Sequence, residues 1–83
     1  VAARNGVEVE LTRNESRILQ TLLAAEGRIV SRNALMEALW KSDAFVDDNT
    51  LTVNVARLRR RLEELGLSEV LATRRGQGYQ LCL

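Results

Sequence analysis

Histidine and proline are absent from these 83 residues, and cysteine, methionine, tryptophan, tyrosine and phenylalanine occur once each. With no histidine and a lone Cys82, the chain has no thiol–imidazole dyad, no internal disulfide and none of the usual ligand sets of a zinc cage. Cys82 reads instead as a small apolar residue in a terminal strand. No apolar run approaches the roughly 18 residues of a membrane helix, and no basic stretch leads into a short apolar core of the secretory type. A soluble, cytoplasmic protein that does not engage a membrane is therefore expected. The carboxylates do not converge on one face with a base or nucleophile, so no catalytic residue, metal ligand or cofactor is assigned and an enzyme is not expected. The length fits one domain over residues 1–83, small enough that its large apolar side chains are needed for packing rather than for lining a deep pocket.

What is present is an uneven charge. The formal net charge is only +1, but through residue 48 six basic residues stand against eight acidic ones, whereas from residue 49 onward six arginines stand against three glutamates. All the basic residues except Lys41 are arginine, whose planar fork suits phosphates and guanine edges better than a point charge does.

Val7, Val9 and Leu11 alternate with Glu8 and Glu10, the period-two pattern of a half-buried strand, after a frayed end at residues 1–6. Thr12 and Glu15 have capping-box spacing at the start of a first helix, along which Ile18, Leu19, Leu22 and Leu23 form the apolar face and which Gly27 ends. Ile29 and Val30 suffice for a short strand. Ser31 caps a second helix carrying Leu35, Met36, Leu39 and Trp40, and residues 41–48 form a loop whose Asp47, Asp48 and Asn49 offer caps for a third. The third helix, over about 49–65, shows the clearest seam: Leu51, Val55, Leu58, Leu62 and Leu65, ending at Gly66. Val70–Thr73 and Tyr79–Leu83 then read as two strands joined by Arg74-Arg75-Gly76-Gln77-Gly78, a hairpin over 70–83.

At roughly 100° per residue, the leucine seam turns Asn49, Val53, Ala56 and Arg60 away from the core, with Thr52 and Arg57 on the flanks. An outward Val53 suits a thymine methyl, Arg57 can fork onto guanine, and Arg59, Arg60 and Arg61 come within reach of phosphates. Taken singly these signals have ordinary readings. Arg57–Arg61 with Glu63 and Glu64 is also a solvated helix face, Val53 one scattered surface apolar residue, Trp40 a core-edge filler and Tyr79 a strand anchor.

Their joint order is more specific. The run Asp48-Asn49-Thr50-Leu51-Thr52-Val53-Asn54-Val55-Ala56-Arg57-Leu58-Arg59-Arg60-Arg61-Leu62, followed by Thr73-Arg74-Arg75-Gly76-Gln77-Gly78-Tyr79, resembles the effector domain of OmpR/PhoB-type response regulators. Leu11-Thr12-Arg13-Asn14-Glu15, Ile29-Val30-Ser31-Arg32 and Leu39-Trp40 extend the likeness over nearly the whole chain. The resemblance implies an α+β winged helix-turn-helix: a three-helix core, a C-terminal hairpin wing and a remnant N-terminal strand. It implies sequence-specific double-stranded DNA binding as the transcriptional output of a bacterial two-component system, with the third helix in the major groove and the wing in the minor groove. Residue by residue, it makes Arg57 the base-contacting candidate with Thr52 and Val53 beside it. Trp40, Asn49, Asn54 and Arg59 become phosphate ligands, Arg75 the minor-groove arginine, and Thr73 and Tyr79 wing supports or backbone contacts. Asn49, Thr52 and Ala56 depart from the family's usual arginine, aspartate and frequent basic residue, which leaves the target sequence open.

The resemblance further implies a receiver domain outside this chain, through which a cognate sensor kinase acts. It also implies contact of loop 41–48 with RNA polymerase, and a monomeric isolated domain that dimerises on promoter direct repeats in the full-length protein. The segment Phe45-Val46-Asp47-Asp48-Asn49-Thr50-Leu51 is most similar to the branch paired with peptide-antibiotic sensing. The alternative is a winged-helix module for protein–protein interaction, since the same scaffold can bury its third helix against a partner.

Overall fold

The chain runs β1 (Ala2–Arg4), β2 (Val7–Val9), α1 (Arg13–Ala24), α2 (Arg32–Trp40), α3 (Asp48–Glu64), β3 (Leu71–Arg74) and β4 (Gly78–Leu81). The computed structural model describes residues 2–4, 6–41, 46–67 and 69–82. This is the winged helix-turn-helix expected: three helices and a C-terminal antiparallel hairpin. The N-terminus departs from expectation. Residues 2–4 are not frayed but form β1, antiparallel to β2, with Ala2 opposite Val9 and Arg4 opposite Val7 across a turn in which Gly6 has φ +80°. The polar-poor Ala2-Ala3 carries no alternation, so only pairing with β2 defines it as a strand.

Each helix begins at a side-chain cap, because the first backbone N–H groups of a helix have no partner within it. Thr12 Oγ1 accepts from the Glu15 amide at 3.2 Å and Glu15 Oε2 accepts from the Thr12 amide at 3.3 Å, completing the capping box of α1. Ser31 Oγ accepts from the Ala34 amide at 3.1 Å at the start of α2. Of the three candidates before α3, Asp47 is the cap: its Oδ1 accepts from the Thr50 amide at 2.7 Å and the Thr50 hydroxyl at 2.8 Å. Those two bonds, the amide first, hold the Asp47 carboxyl below its ordinary value of 3.8. A carboxyl whose pKa falls on folding stabilises the folded state above its unfolded value, and the contribution disappears as pH drops through the lowered one. The protection of the Asn49–Leu51 amides, taken relative to the intrinsic exchange rate at each pH, is therefore expected to fall below about pH 4 in the native chain and to lose that pH response in Asp47→Asn, as measured by hydrogen exchange.

The helices enclose one core. Ile18 and Leu22 from α1, Leu35 and Leu39 from α2, and Leu51, Val55, Leu58 and Leu62 from α3 are buried, joined by Val46, Val30, Leu65, Leu71, Tyr79 and Leu81. The apolar face of α1 is narrower than its sequence implies, with Leu19 half-buried and Leu23 48% exposed. The end of α1 also differs: the helix stops at Ala24, and both Glu26 (φ +51°) and Gly27 (φ +86°) make the left-handed exit.

The expected strand at Ile29–Val30 reduces to a single bridge. Val30 exchanges two backbone hydrogen bonds with Tyr79, at 2.8 and 2.9 Å, while Ile29 is exposed. That bridge ties the wing to the link between α1 and α2, and Gln80 Nε2 adds a bond to the Gly27 carbonyl at 2.7 Å. The first wing strand sits one residue later than expected, and the second begins one residue earlier and ends at Leu81, with Leu71 pairing with Leu81 and Arg74 with Gly78. Between them Gln77 N–H donates to the Arg74 carbonyl at 2.9 Å and Gly76 has φ +72°, the geometry of a type II turn whose third residue favours glycine. Leu83 lies outside the described residues. No helix among the described residues is long and apolar enough to cross a membrane.

Candidate nucleic-acid interface

Burial of Leu51, Val55, Leu58 and Leu62 fixes which way α3 faces. The opposite stripe, Asn49, Thr52, Val53, Ala56, Arg57 and Arg60, is exposed, with Val53 at 38%. Arg57 and Arg60 on α3 and Arg75 at the wing tip are all exposed and make no hydrogen bond or ion pair with the described residues. Three guanidinium groups thus keep all their donors available on one helix and the adjacent turn. Arg61, by contrast, pairs with Glu64 at 3.6 Å.

Three residues assigned to phosphates are placed differently. Asn54 is 7% exposed, and its Nδ2 donates to the Thr50 carbonyl one turn earlier at 2.8 Å. Its position between the buried Leu51 and Leu58 rotates it toward the core side, so it does not stand on the open stripe. Arg59 is half-buried: Nε donates to the Leu71 carbonyl at 3.3 Å and Nη2 to Thr73 Oγ1 at 2.9 Å. It fastens α3 to β3 rather than projecting outward. Trp40 is 50% exposed, but its indole N–H donates to the Val46 carbonyl at 2.9 Å and so braces the entry to α3. Of the loop expected at 41–48, residues 42–45 lie outside the described residues.

From these bonds Arg59→Ala is expected to act first on the wing. Exchange of the amides of β3 should rise and the melting temperature should drop, with DNA affinity falling as a consequence. Free-protein hydrogen exchange checks this without any DNA present.

The wing residues Thr73 and Tyr79 fit supporting roles in the hairpin. Thr73 is exposed and receives Arg59; Tyr79 is buried, with its hydroxyl accepting from Arg32 Nη1 at 2.6 Å. Arg32, to which sequence reasoning gave no role, is the most connected side chain of the surface. Its Nε and Nη2 reach Asp48 Oδ1 at 3.3 and 3.1 Å, and Nη2 also reaches the Asp48 carbonyl and Thr52 Oγ1, both at 2.9 Å. The guanidinium carbon sits 5.7 Å from the centroid of the Tyr79 ring. One residue of α2 therefore holds the first turn of α3 and the base of the wing together. No local pattern in the sequence reports it, because its partners lie 16, 20 and 47 residues away.

This arrangement agrees with the comparisons to known proteins. Residues 6–81 match the family model described as "Transcriptional regulatory protein, C terminal". The chain is 51% identical over 71 residues to the sensory transduction protein BceR of Halalkalibacterium halodurans, a match covering 86% of this chain and 31% of that protein. Among solved structures, the C-terminal domain of the nisin resistance regulator NsrR, a lantibiotic response regulator, superposes with a TM-score of 0.84 at 39% identity, covering 99% of this chain and 82% of that one. The DNA-binding domain of the response regulator AdeR, solved in complex with an intercistronic region, gives a TM-score of 0.76 at 28% identity over 92% of this chain and 78% of that one. The chain belongs to the family of C-terminal domains of transcriptional regulatory proteins, of the OmpR/PhoB winged-helix type. It spans about a third of the length of the curated relatives it matches.

Proposed function

We propose that this chain binds double-stranded DNA with base selectivity, laying the outward stripe of α3 in the major groove and the Arg75 tip of the wing in the adjacent minor groove. The observation that carries this reading is the contrast among the arginines. Arg32, Arg59 and Arg74 are engaged by the fold, whereas Arg57, Arg60 and Arg75 are held out on the helix and wing with no internal partner among the described residues. Such groups answer to a polyanion with hydrogen-bonding base edges. The DNA-binding domain of AdeR, to which the chain is similar, was solved in complex with an intercistronic region, which supports DNA as the partner.

On this reading the chain is the output domain of a two-component response regulator acting in the bacterial cytoplasm and has no enzymatic role of its own. The receiver domain, acted on by a sensor kinase, lies in the remainder of the protein, and dimers form on promoter direct repeats. The loop between α2 and α3 faces RNA polymerase. Likeness to NsrR, a lantibiotic response regulator and nisin resistance regulator, supports a place in peptide-antibiotic sensing, and likeness to the sensory transduction protein BceR supports a sensory role.

Titrating the labelled chain with random duplex at low salt tests the reading. Amide shifts are expected over residues 49–61 and 73–79. The logarithm of affinity should fall with the logarithm of salt at about −0.9 per phosphate neutralised, hence a slope of roughly −2 to −3 if Arg57, Arg60 and Arg75 each neutralise one. Shifts elsewhere, or affinity for a protein partner with little salt dependence, would favour the interaction-module alternative.

A further inference from the structure

The hydroxyl of Thr52 lies on the outward stripe, and the structure accounts for most of its hydrogen-bonding capacity. A threonine hydroxyl has one proton and two lone pairs. Thr52 Oγ1 is 3.1 Å from the carbonyl oxygen of Asp48, an atom that can only accept, so the proton points there. Arg32 Nη2 is 2.9 Å away and can only donate, so it occupies one lone pair. What Thr52 presents outward is one lone pair and its methyl group. Arg32 cannot easily release that lone pair, because the same guanidinium is held by Asp48 at 3.1 Å and by the Tyr79 hydroxyl at 2.6 Å.

An acceptor in the major groove divides the bases cleanly. Adenine N6 and cytosine N4 offer donors, whereas guanine O6 and N7 and thymine O4 would place acceptor against acceptor. We propose that Arg32 is a positioning residue that locks Thr52 as a hydrogen-bond acceptor, so that Thr52 selects an amino-bearing base, adenine or cytosine, on the strand it faces. The inference rests on the DNA-binding reading above. It gives Arg32 a part in specificity without contact to DNA, and its charge, already matched by Asp48, adds no phosphate contact.

The test is selection of bound sites by the 83-residue chain from a randomised duplex pool, repeated with Thr52→Val, which removes the hydroxyl and keeps the shape. One position is expected at which the native chain favours adenine or cytosine and Thr52→Val does not. Replacing that base by the analogue whose amino group is replaced by hydrogen, purine for adenine or 2-pyrimidinone for cytosine, should weaken the native chain about fivefold, the effect of one hydrogen bond, and leave Thr52→Val unchanged. Arg32→Met frees the hydroxyl to rotate. The amino-over-keto preference should then fall toward equality at that position alone, with the Arg57-dependent preference and the salt slope retained. A residue that merely braced the fold would weaken every position together.

The proposal is overturned if no position responds to Thr52→Val, if the responding position takes guanine or thymine, or if Arg32→Met leaves the preference intact. Should Arg32→Met fail to melt cooperatively, the comparison of amino-deleted bases with Thr52→Val still decides whether Thr52 is an acceptor. A native chain that retains no sequence from the pool would remove the DNA-binding reading itself, and this inference with it.

Discussion

Gly78→Ala is expected to unseat the wing and cost at least about 3 kcal/mol, against roughly 4–12 kcal/mol of total stability for a domain of this size. Gly78 has φ +142°, a backbone conformation that L side chains rarely adopt, and an added Cβ would lie 2.0 Å from the Val30 carbonyl oxygen and 2.8 Å from Ser31 Cα. Both obstacles are backbone, so neither can rotate aside. The Val30 carbonyl is moreover the acceptor for the Tyr79 amide at 2.9 Å, so any movement that clears the methyl breaks the bridge holding the wing. Overpacking alone costs about 1–3 kcal/mol and the positive φ about 1–2 more. Gly76→Ala is the control two residues away. Its added Cβ would meet nothing within 4 Å, so only the left-handed penalty of about 1 kcal/mol applies. Chemical denaturation of the two variants checks the difference, and equal losses would show that the close approach at Val30 is not what requires glycine.

Arg57→Ala is expected to weaken binding to the preferred duplex by about 1–3 kcal/mol, roughly 5- to 150-fold, and to relax base choice at one position. Arg57 is exposed on α3, and with no internal partner among the described residues its removal disrupts no bond of the free protein. The stability of the variant should thus stay close to that of the native chain, while discrimination between preferred and random duplex shrinks. Arg60→Ala provides the contrast. As a phosphate contact it should weaken all duplexes alike and reduce the salt slope by about 0.9. Competition titrations over a salt series separate the two. Equal loss on preferred and random DNA for Arg57→Ala would take away its base-reading role.

The parts of the fold legible in the sequence are those fixed by local rules. Thr12 with Glu15, Ser31, and the leucine seam of α3 each determine their element through spacing and capping, and each appears where expected. Legibility ends where tertiary pairing decides. Ala2–Arg4 become a strand only because β2 lies beside them, and Val30 bridges Tyr79 over a sequence separation that no local pattern reports. Leu23 follows the helical spacing yet is left outside, because α1 meets its neighbours along the narrower line of Ile18 and Leu22.

The candidate surface divides the same way. Helical phase correctly turned Asn49, Thr52, Val53, Ala56, Arg57 and Arg60 outward. It did not reveal that Asn54 rotates inward, nor that Arg59 and the Trp40 indole are engaged by the neighbouring backbone, since those depend on where β3 and Val46 come to rest. Arg32 escaped notice for the same reason: its partners are 16, 20 and 47 residues away.

Dimethyl sulfate reaches guanine N7 in one groove and adenine N3 in the other, so a methylation footprint of the saturated complex examines helix and wing in a single measurement. Protection of guanine N7 is expected beneath α3, with protection of adenine N3 to one side that disappears in Arg75→Ala while the N7 protection remains. Unprotected N7 atoms across a bound site, or N3 protection indifferent to Arg75, would contradict this mode of binding.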